Sequence, residues 1–307
     1  QLTLSDLFNG ETYRTALRED PALLPRLMKQ WKISVQKGDS SIPSIKDVTQ
    51  LVRMLDFHYS TTSMLLEVLI RSSNLSEARH VLQWSHEKHT DGGMSISLYN
   101  KVLKALKEPD DVESLIDTMK RHGAHPNLDT YTLLLRFYGR LRDHGKVQRT
   151  LQTMKEEGFV VDANAVDQAV SEMAKNDPVS AARVWTSQKL LPRNDHDRRV
   201  MARTVFSILF GFRKSLRDIK YAESMVLNIR ARSLFDTSTR NKMECTLMDI
   251  YVKAGCPDMV RTLFDTFEAD AVKYGVLIQA FPKDAVDLIT QMLDSEIPPS
   301  IEVFNIA

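Results

Sequence analysis

Apolar residues between positions 128 and 162 follow the spacing of two consecutive amphipathic helices. In the first half, residues recur at three- and four-residue intervals and so share one helix face: Tyr131, Leu134, Leu135, Tyr138 and Leu141. A break at Asp143-His144-Gly145 precedes a second apolar stripe, formed by Val147, Leu151 and Met154. Gly158 then offers a left-handed helix end. The segment predicts a helix–turn–helix unit whose two apolar faces pack together.

The same pattern recurs with a period of about 35 residues. Met119-Lys120 and Gly123 are spaced like Met154-Lys155 and Gly158, and the segment 292–300 repeats the spacing of 119–127. One helical hairpin buries too little apolar surface to be stable alone, so its repetition predicts stacking on similar neighbours. We therefore predict an all-α fold, a right-handed α-solenoid of about seven or eight helix–turn–helix hairpins.

The regularity of the pattern predicts two regions. Residues 1–61 are helical in pattern but atypical, and we interpret them as an N-terminal cap, followed by a repeat solenoid over 62–307. The clearest repeats are predicted at 96–127, 128–162, 241–270 and 271–300, with a further repeat starting at 301. Because the chain starts with Gln1 and stops inside this last unit, we expect that its N-terminus is trimmed and that the natural protein continues past Ala307.

Composition and charge limit the function. The chain has 307 residues, of which 43% are hydrophobic and 26% charged, as in ordinary globular proteins. No window approaches the 18 or so apolar residues of a membrane span. Cys245 and Cys256 are too few for a disulfide framework. A formal net charge of +1 gives no overall attraction to nucleic acid, so RNA binding would need a local basic surface.

The sequence contains no constellation of residues typical of an enzyme. We find no phosphate-binding Gly-rich loop, no GxSxG elbow and no HxE…CxxC pattern of a zinc deaminase. His86 and His89 are one residue too close together for the HExxH zinc motif. We therefore predict no catalytic residues, no metal site and no cofactor.

Residues near the unit boundaries resemble those of the pentatricopeptide repeat family. Tyr99-Asn100, Tyr131-Thr132 and Phe304-Asn305 stand near unit starts, Lys253-Ala254-Gly255 stands at a turn, and MKxxG precedes Pro126-Asn127 or Val161-Asp162. The Trp–Leu-Gly–Tyr signature of tetratricopeptide repeats is missing. The resemblance covers about 62–307. It implies binding of single-stranded RNA, one base per repeat, in an organelle, with the mitochondrion favoured over the plastid.

The resemblance also implies which residues read a base, because the fifth and last residues of a repeat make this choice in the family. The pairs are Asn100 with Asn127 and Thr132 with Asp162, then Cys245 with Asp270, Gly275 with Ser300 and Asp167 with Asn194, while Asn305 is fifth in the last unit. By family analogy, Asn/Asn favours a pyrimidine and Thr/Asp favours guanine. The second place in a repeat, where the family uses Val or Ile to sandwich the base, holds Ser97, Asp129, Asn164 and Glu302.

Several basic residues are candidates for phosphate contacts. Arg140 and Lys253 lie near the ends of first helices, and a basic cluster comprises Arg213, Lys214, Arg217, Lys220, Arg230 and Arg232. A solvated helix face would explain the cluster equally simply. Asn127 and Asp162 have an alternative role as caps of the following helix, and Asn100 and Thr132 as solvated residues of a helix start.

Two functions remain open at this point. The first is an organellar single-stranded RNA-binding factor that acts sterically in transcript stability, processing or translation activation. The second is a structural scaffold of a mitochondrial ribonucleoprotein such as the mitoribosome, which would bind rRNA and ribosomal or RNA-processing proteins without reading bases.

Overall fold

The computed structural model describes residues 22–37, 44–54, 59–72, 74–88 and 92–306. Much of the predicted cap over 1–61 therefore lies outside the described residues. Within them, every regular element is a helix, and we number the seventeen α-helices in chain order. They are α1 Leu23–Lys37, α2 Ile45–Met54, α3 Tyr59–Arg71, α4 Leu75–Lys88, α5 Gly92–Ala105, α6 Pro109–Arg121, α7 Leu128–Leu141, α8 His144–Glu156, α9 Ala163–Ala174, α10 Pro178–Ser187, α11 Asp195–Ser215, α12 Lys220–Ala231, α13 Thr237–Lys253, α14 Pro257–Thr266, α15 Ala271–Ala280, α16 Ala285–Asp294 and α17 Ile301–Ile306. A 3-10 turn, Pro282–Asp284, precedes α16.

The chain divides into two compact units, residues 1–133 and residues 134–307. In the first unit, α3 packs against α4 and α5 against α6, which makes two helical hairpins. First helices also contact first helices, since α1 lies on α3 and α3 on α5. The helix α2 contacts α3 and α4, so α1 and α2 stack on the next hairpin in the manner of a repeat.

The second unit repeats this arrangement. Its hairpins are α9 with α10, α11 with α12, α13 with α14 and α15 with α16. The first helices α9, α11, α13, α15 and α17 each contact the next in the series. Each hairpin thus buries one face inside itself and other faces against its neighbours, and the predicted all-α fold of stacked helical hairpins is confirmed within each unit.

The core follows the predicted apolar stripes. Leu135, Val147, Leu151 and Met154 are all at most 1% exposed, whereas Leu141, assigned to the same stripe, is 42% exposed at the last position of α7. The predicted break at 143–145 is shorter in the structure. The Asp143 carboxylate accepts a hydrogen bond from the Lys146 backbone N–H at 2.9 Å, so α8 can already begin at His144.

The predicted helix end at Gly158 is confirmed. Gly158 has φ +81°, and the Phe159 N–H donates to the Met154 carbonyl at 2.8 Å. Among the described helices, none combines the length and the apolar character that crossing a membrane would require.

Candidate functional site

First helices in the repeat region begin after a residue whose side chain caps them. Its oxygen accepts a hydrogen bond from the backbone N–H three residues later, at 2.8–3.1 Å in each case but the last, where the distance is 3.4 Å. These capping residues are Asn127, Asp162, Asn194, Asp236, Asp270 and Ser300. All the residues predicted to stand last in a repeat are therefore helix caps. Any contact with a base must use side-chain hydrogen-bonding groups that the capping hydrogen bond does not occupy.

The predicted pair Asn100 and Asn127 is brought together in the first unit. The Asn100 Nδ2 donates to Asn127 Oδ1 at 3.3 Å. The buried Thr130 hydroxyl lies 2.8 Å from Asn100 Oδ1 and 2.9 Å from Asn127 Oδ1, and its backbone N–H donates to Asn127 Oδ1. Both amide oxygens therefore face the protein, while the two half-exposed side chains keep N–H groups for a ligand.

A second pair of the same kind occurs in the other unit, at a place that sequence reasoning missed. The helix α13 begins at Thr237 after its cap Asp236, four residues before the predicted unit start at Asn241. Counted from this helix start, the fifth residue is Asn241. Its Nδ2 donates to Asp270 Oδ2 at 3.1 Å, and both side chains are half-buried.

Cys245, the predicted partner of Asp270, stands one helical turn further along α13. Burial, and then the negative charge of Asp270, raise the pKa of its thiol to about 12. A thiol of this kind is a weak donor and a poor base reader. The Asp236 cap was the sequence signal that would have set the correct start, because its carboxylate accepts from both the backbone N–H and the hydroxyl of Thr239.

Thr132, Asp162 and Asn305 are predicted readers with fewer contacts. The Thr132 hydroxyl donates to the Leu128 carbonyl of its own helix at 2.8 Å. Asp162 caps α9 through the Ala165 N–H at 2.8 Å. Asn305 is exposed on the short helix α17. Thr132 lies in the first compact unit and Asp162 in the second. Each already has its own hydrogen-bond partner, Leu128 for Thr132 and Ala165 for Asp162.

Two other residues that stand fifth in a predicted repeat, Asp167 and Gly275, are not available for contact with a base. Asp167 is 5% exposed, and its carboxylate oxygens accept from Arg203 Nη2 and from the Thr204 hydroxyl, both at 2.6 Å. Asn194, the residue predicted to act with it, caps α11 instead. Gly275 is buried and has no side chain to offer.

The candidate residues for phosphate contacts differ in exposure and in ion pairing within the protein. Arg140 is exposed, with its guanidinium 6.0 Å from the Phe137 ring centre. Arg213 Nε lies 2.6 Å from Asp249 Oδ2, and Lys253 Nζ lies 3.9 Å from the same oxygen, so one carboxylate neutralises part of both charges. Lys214, the neighbour of Arg213, is exposed on α11.

The second residues of the repeats differ in character from one repeat to the next. Ser97, Asp129 and Asn164 are exposed and polar, while the side chain of Glu302 lies outside the described residues. In the unit that starts at Ala271, however, the second residue is Val272, whose side chain is 60% exposed. It follows directly after Asp270 and Ala271, so an exposed aliphatic side chain stands beside the Asn241–Asp270 pair. Its position two residues after the capping residue Asp270 is the sequence signal that marks it.

Among the described residues, no group of three or more His, Cys, Asp or Glu side chains is arranged to hold a metal ion. The Asn pairs offer side-chain groups that could form hydrogen bonds with a planar polar edge.

Comparison with known proteins supports the resemblance in both halves of the chain. The pentatricopeptide repeat domain family matches residues 114–160, and a second description, PPR repeat, matches residues 245–269. The comparison with curated proteins found no match.

Solved structures of the pentatricopeptide repeat protein PPR10 are similar at low identity. Its complex with an 18-nt psaJ RNA element has 16% identity and a TM-score of 0.41, with 96% of this chain and 47% of that chain covered. The structure of PPR10 from maize has 17% identity and a TM-score of 0.37, with coverages of 96% and 48%. The chain thus spans about half the length of these proteins. The matches at 114–160 and 245–269 show that these two segments of the chain are pentatricopeptide repeats.

Proposed function

We propose that this protein binds single-stranded RNA and reads individual bases at separate places along its repeats. The observation that carries the proposal is the recurrence of one arrangement in two units. A half-exposed Asn on a first helix bonds to the cap of the next first helix, Asn100 to Asn127 at 3.3 Å and Asn241 to Asp270 at 3.1 Å. Helical-repeat RNA readers meet a base edge with two or three side chains per unit, and these pairs supply them.

The two pairs favour different bases. In the Asn100–Asn127 pair, the amide oxygens are engaged by Thr130, so N–H donors face a ligand and suit the acceptor atoms of a base, which by family analogy is a pyrimidine. In the second pair, Asn241 offers an N–H and Asp270 offers a carboxylate. A base with a ring N–H beside a carbonyl satisfies both, which favours uracil or guanine. The exposed Val272 next to Asp270 provides an apolar contact for the base face.

For the biological role, we propose an organellar and most simply mitochondrial factor that acts by occupying RNA in transcript stability, processing or translation activation. This assignment rests on the family resemblance. The second candidate is a scaffold of a mitochondrial ribonucleoprotein such as the mitoribosome. The scaffold is favoured by the burial of Asp167, whose carboxylate is paired with Arg203. An RNA-binding protein in which some repeats cannot contact a base recognises few consecutive bases.

The test is selection from a random single-stranded RNA pool with the purified chain. We expect a short motif with uracil or guanine at one position, and we expect Asn241→Ser to change the preference at that position by about fivefold or more, as the loss of one good base contact does. The preference at the other positions should stay the same.

The matched control is Asn228→Ser, the same substitution at an exposed residue of the second helix α12. It should leave the motif unchanged. RNA binding that is uniform across sequences and lost steeply with salt would contradict base reading and favour the scaffold. Absence of binding at low salt would contradict both functions.

A further inference from the structure

A lysine is buried directly beneath the Asn241–Asp270 pair. Lys273, the third residue of α15, is 0% exposed. Its Nζ lies 3.4 Å from Asn241 Oδ1 and 3.5 Å from Asp270 Oδ2, so it contacts both members of the pair. An ammonium group has only donors, and burying it is costly unless every proton finds an acceptor.

Other groups hold this lysine in place. Its Nζ donates to the Glu268 carbonyl at 2.7 Å and lies 2.8 Å from Oε2 of Glu244, which is 0% exposed itself. Arg230 Nη1 donates to the other Glu244 oxygen at 2.8 Å. The buried carboxylate thus compensates Lys273 and is shared with a second cation.

The other reading pair has a residue at the matching place. Thr130 also follows its cap by three residues, is also 0% exposed, and also contacts both members of the pair, Asn100 and Asn127. A buried donor under the pair is therefore common to both sites, as a hydroxyl at one and an ammonium at the other.

The buried donor fixes which end of the asparagine amide group faces the ligand. The two ends of an amide have nearly the same shape, so a flip of Asn241 would exchange the donor and the acceptor that a base meets. Because Lys273 can only donate, it holds Asn241 Oδ1 toward the protein and leaves the Nδ2 side to Asp270 and to the ligand.

We propose that Lys273 is a specificity-determining positioning residue, which fixes the amide orientation of Asn241 and so selects bases that carry a ring N–H beside a carbonyl. This inference rests on the proposed function of the Asn241–Asp270 pair. It assigns to Lys273 no contact with RNA.

The experiment compares Lys273→Met with wild type, using the selected RNA and its three single-base variants at the position that responds to Asn241→Ser. We expect discrimination among the four bases at that position to fall about fivefold or more, while preferences elsewhere in the motif remain. If the single variant does not fold, the double variant Lys273→Met/Glu244→Gln removes the buried carboxylate charge together with the ammonium and is measured in its place.

Arg230→Met is the matched control. It removes one of the two other cations near Glu244, Arg240 being the second, and Arg230 has no bond to Asn241 or Asp270. Loss of a phosphate contact by Arg230 would lower affinity equally for all four bases, so base discrimination should stay at the wild-type level. Equal effects of Lys273→Met and Arg230→Met on every position would show a merely structural role and overturn the proposal. If wild type discriminates but Lys273→Met discriminates equally well, the proposed function stands and this inference is wrong.

A second measurement needs no RNA. In Asn-selectively labelled protein, the side-chain NH₂ signals of Asn241 can be assigned by their loss in Asn241→Ser. We expect their hydrogen exchange to be at least about tenfold faster in Lys273→Met, because fluctuations that break an ordered hydrogen bond open the group to solvent. Unchanged exchange would contradict a positioning role, even if wild type bound no RNA.

Discussion

Gly139 near the end of α7 and Gly145 near the start of α8 are close in sequence, yet an added methyl group should have opposite effects at the two residues. A Cβ at Gly139 would overlap the backbone carbonyl oxygen of Ala169 on α9, so only glycine allows the two helices to approach this closely. At Gly145, the nearest atom to a new Cβ is Asp143 Oδ1 at 3.5 Å, an ordinary contact.

We therefore predict that Gly139→Ala lowers the free energy of unfolding by about 1–3 kcal/mol, because a packed interface must shift. Gly145→Ala should raise it by about 0.5–1 kcal/mol, because alanine loses less backbone entropy in a helix. Urea unfolding of both variants measures the difference. Equal effects of the same sign would show that α7 and α9 are not in close contact at Gly139.

At the start of helix α9, the contribution of Asp162 to helix capping can be measured separately from any contact with a base. Asp162 was predicted to read a base with Thr132, and the structure shows it as the cap of α9. Asp162→Ala should cost about 1 kcal/mol of stability, since the Ala165 N–H loses its acceptor, whereas Asp162→Asn keeps a capping oxygen and should cost little.

RNA selection then tests the second role of this residue. A base contact by Asp162 predicts that Asp162→Asn changes the preference at one position at unchanged stability, because a carboxylate oxygen is replaced by an amide donor. An unchanged motif would leave Asp162 as a cap alone.

Periodicity predicted the hairpins because their apolar stripes and glycine ends are local features of the sequence. It failed to find the start of α13, since the first turn of that helix is polar and its buried face begins only at Met243. The cap Asp236 and the polar first turn together mark the true start. A start at Thr237 makes Asn241 the fifth residue of its repeat, whereas Val272 is second already in the predicted repeat 271–300.

Other features could not be predicted from local sequence. Arg203 and Asp167 are 36 residues apart along the chain and meet only because α9 and α11 pack together. The same holds for the ion pair between Arg213 and Asp249. In each case, the sequence shows a charge but not the partner that neutralises it.

At the scale of the whole molecule, overall charge gives little help to RNA binding. A net charge of +1 gives no general attraction to RNA, and Arg213 and Lys253 share the carboxylate of Asp249. Under the proposed function, affinity for RNA would come from local contacts at the two Asn pairs and from exposed cations such as Lys214 and Arg140. An RNA partner should therefore contact the protein at separated positions along its length.

Alkaline pH should destabilise the whole protein. Burial raises the pKa of Tyr99 from 10.0 to about 12 and that of Cys245 from 9.0 to about 12. Burial, together with its hydrogen bond to Glu223, also raises the pKa of Tyr251. The folded state therefore holds protons that the unfolded chain has already released, so stability is lost as pH rises from about 9 toward 12.

Between its pKa in the unfolded chain and its pKa in the folded protein, each group lowers the free energy of unfolding by at most about 1.4 kcal/mol per pH unit. Urea unfolding midpoints at pH 8, 9, 10 and 11 should be level at first and then fall. In Tyr99→Phe, the fall above pH 10 should be shallower than in wild type, because the unfolded chain then releases one proton fewer. A midpoint that stays constant to pH 11 would show that these side chains ionise equally well in the folded protein, and hence that they are not buried as the structure places them.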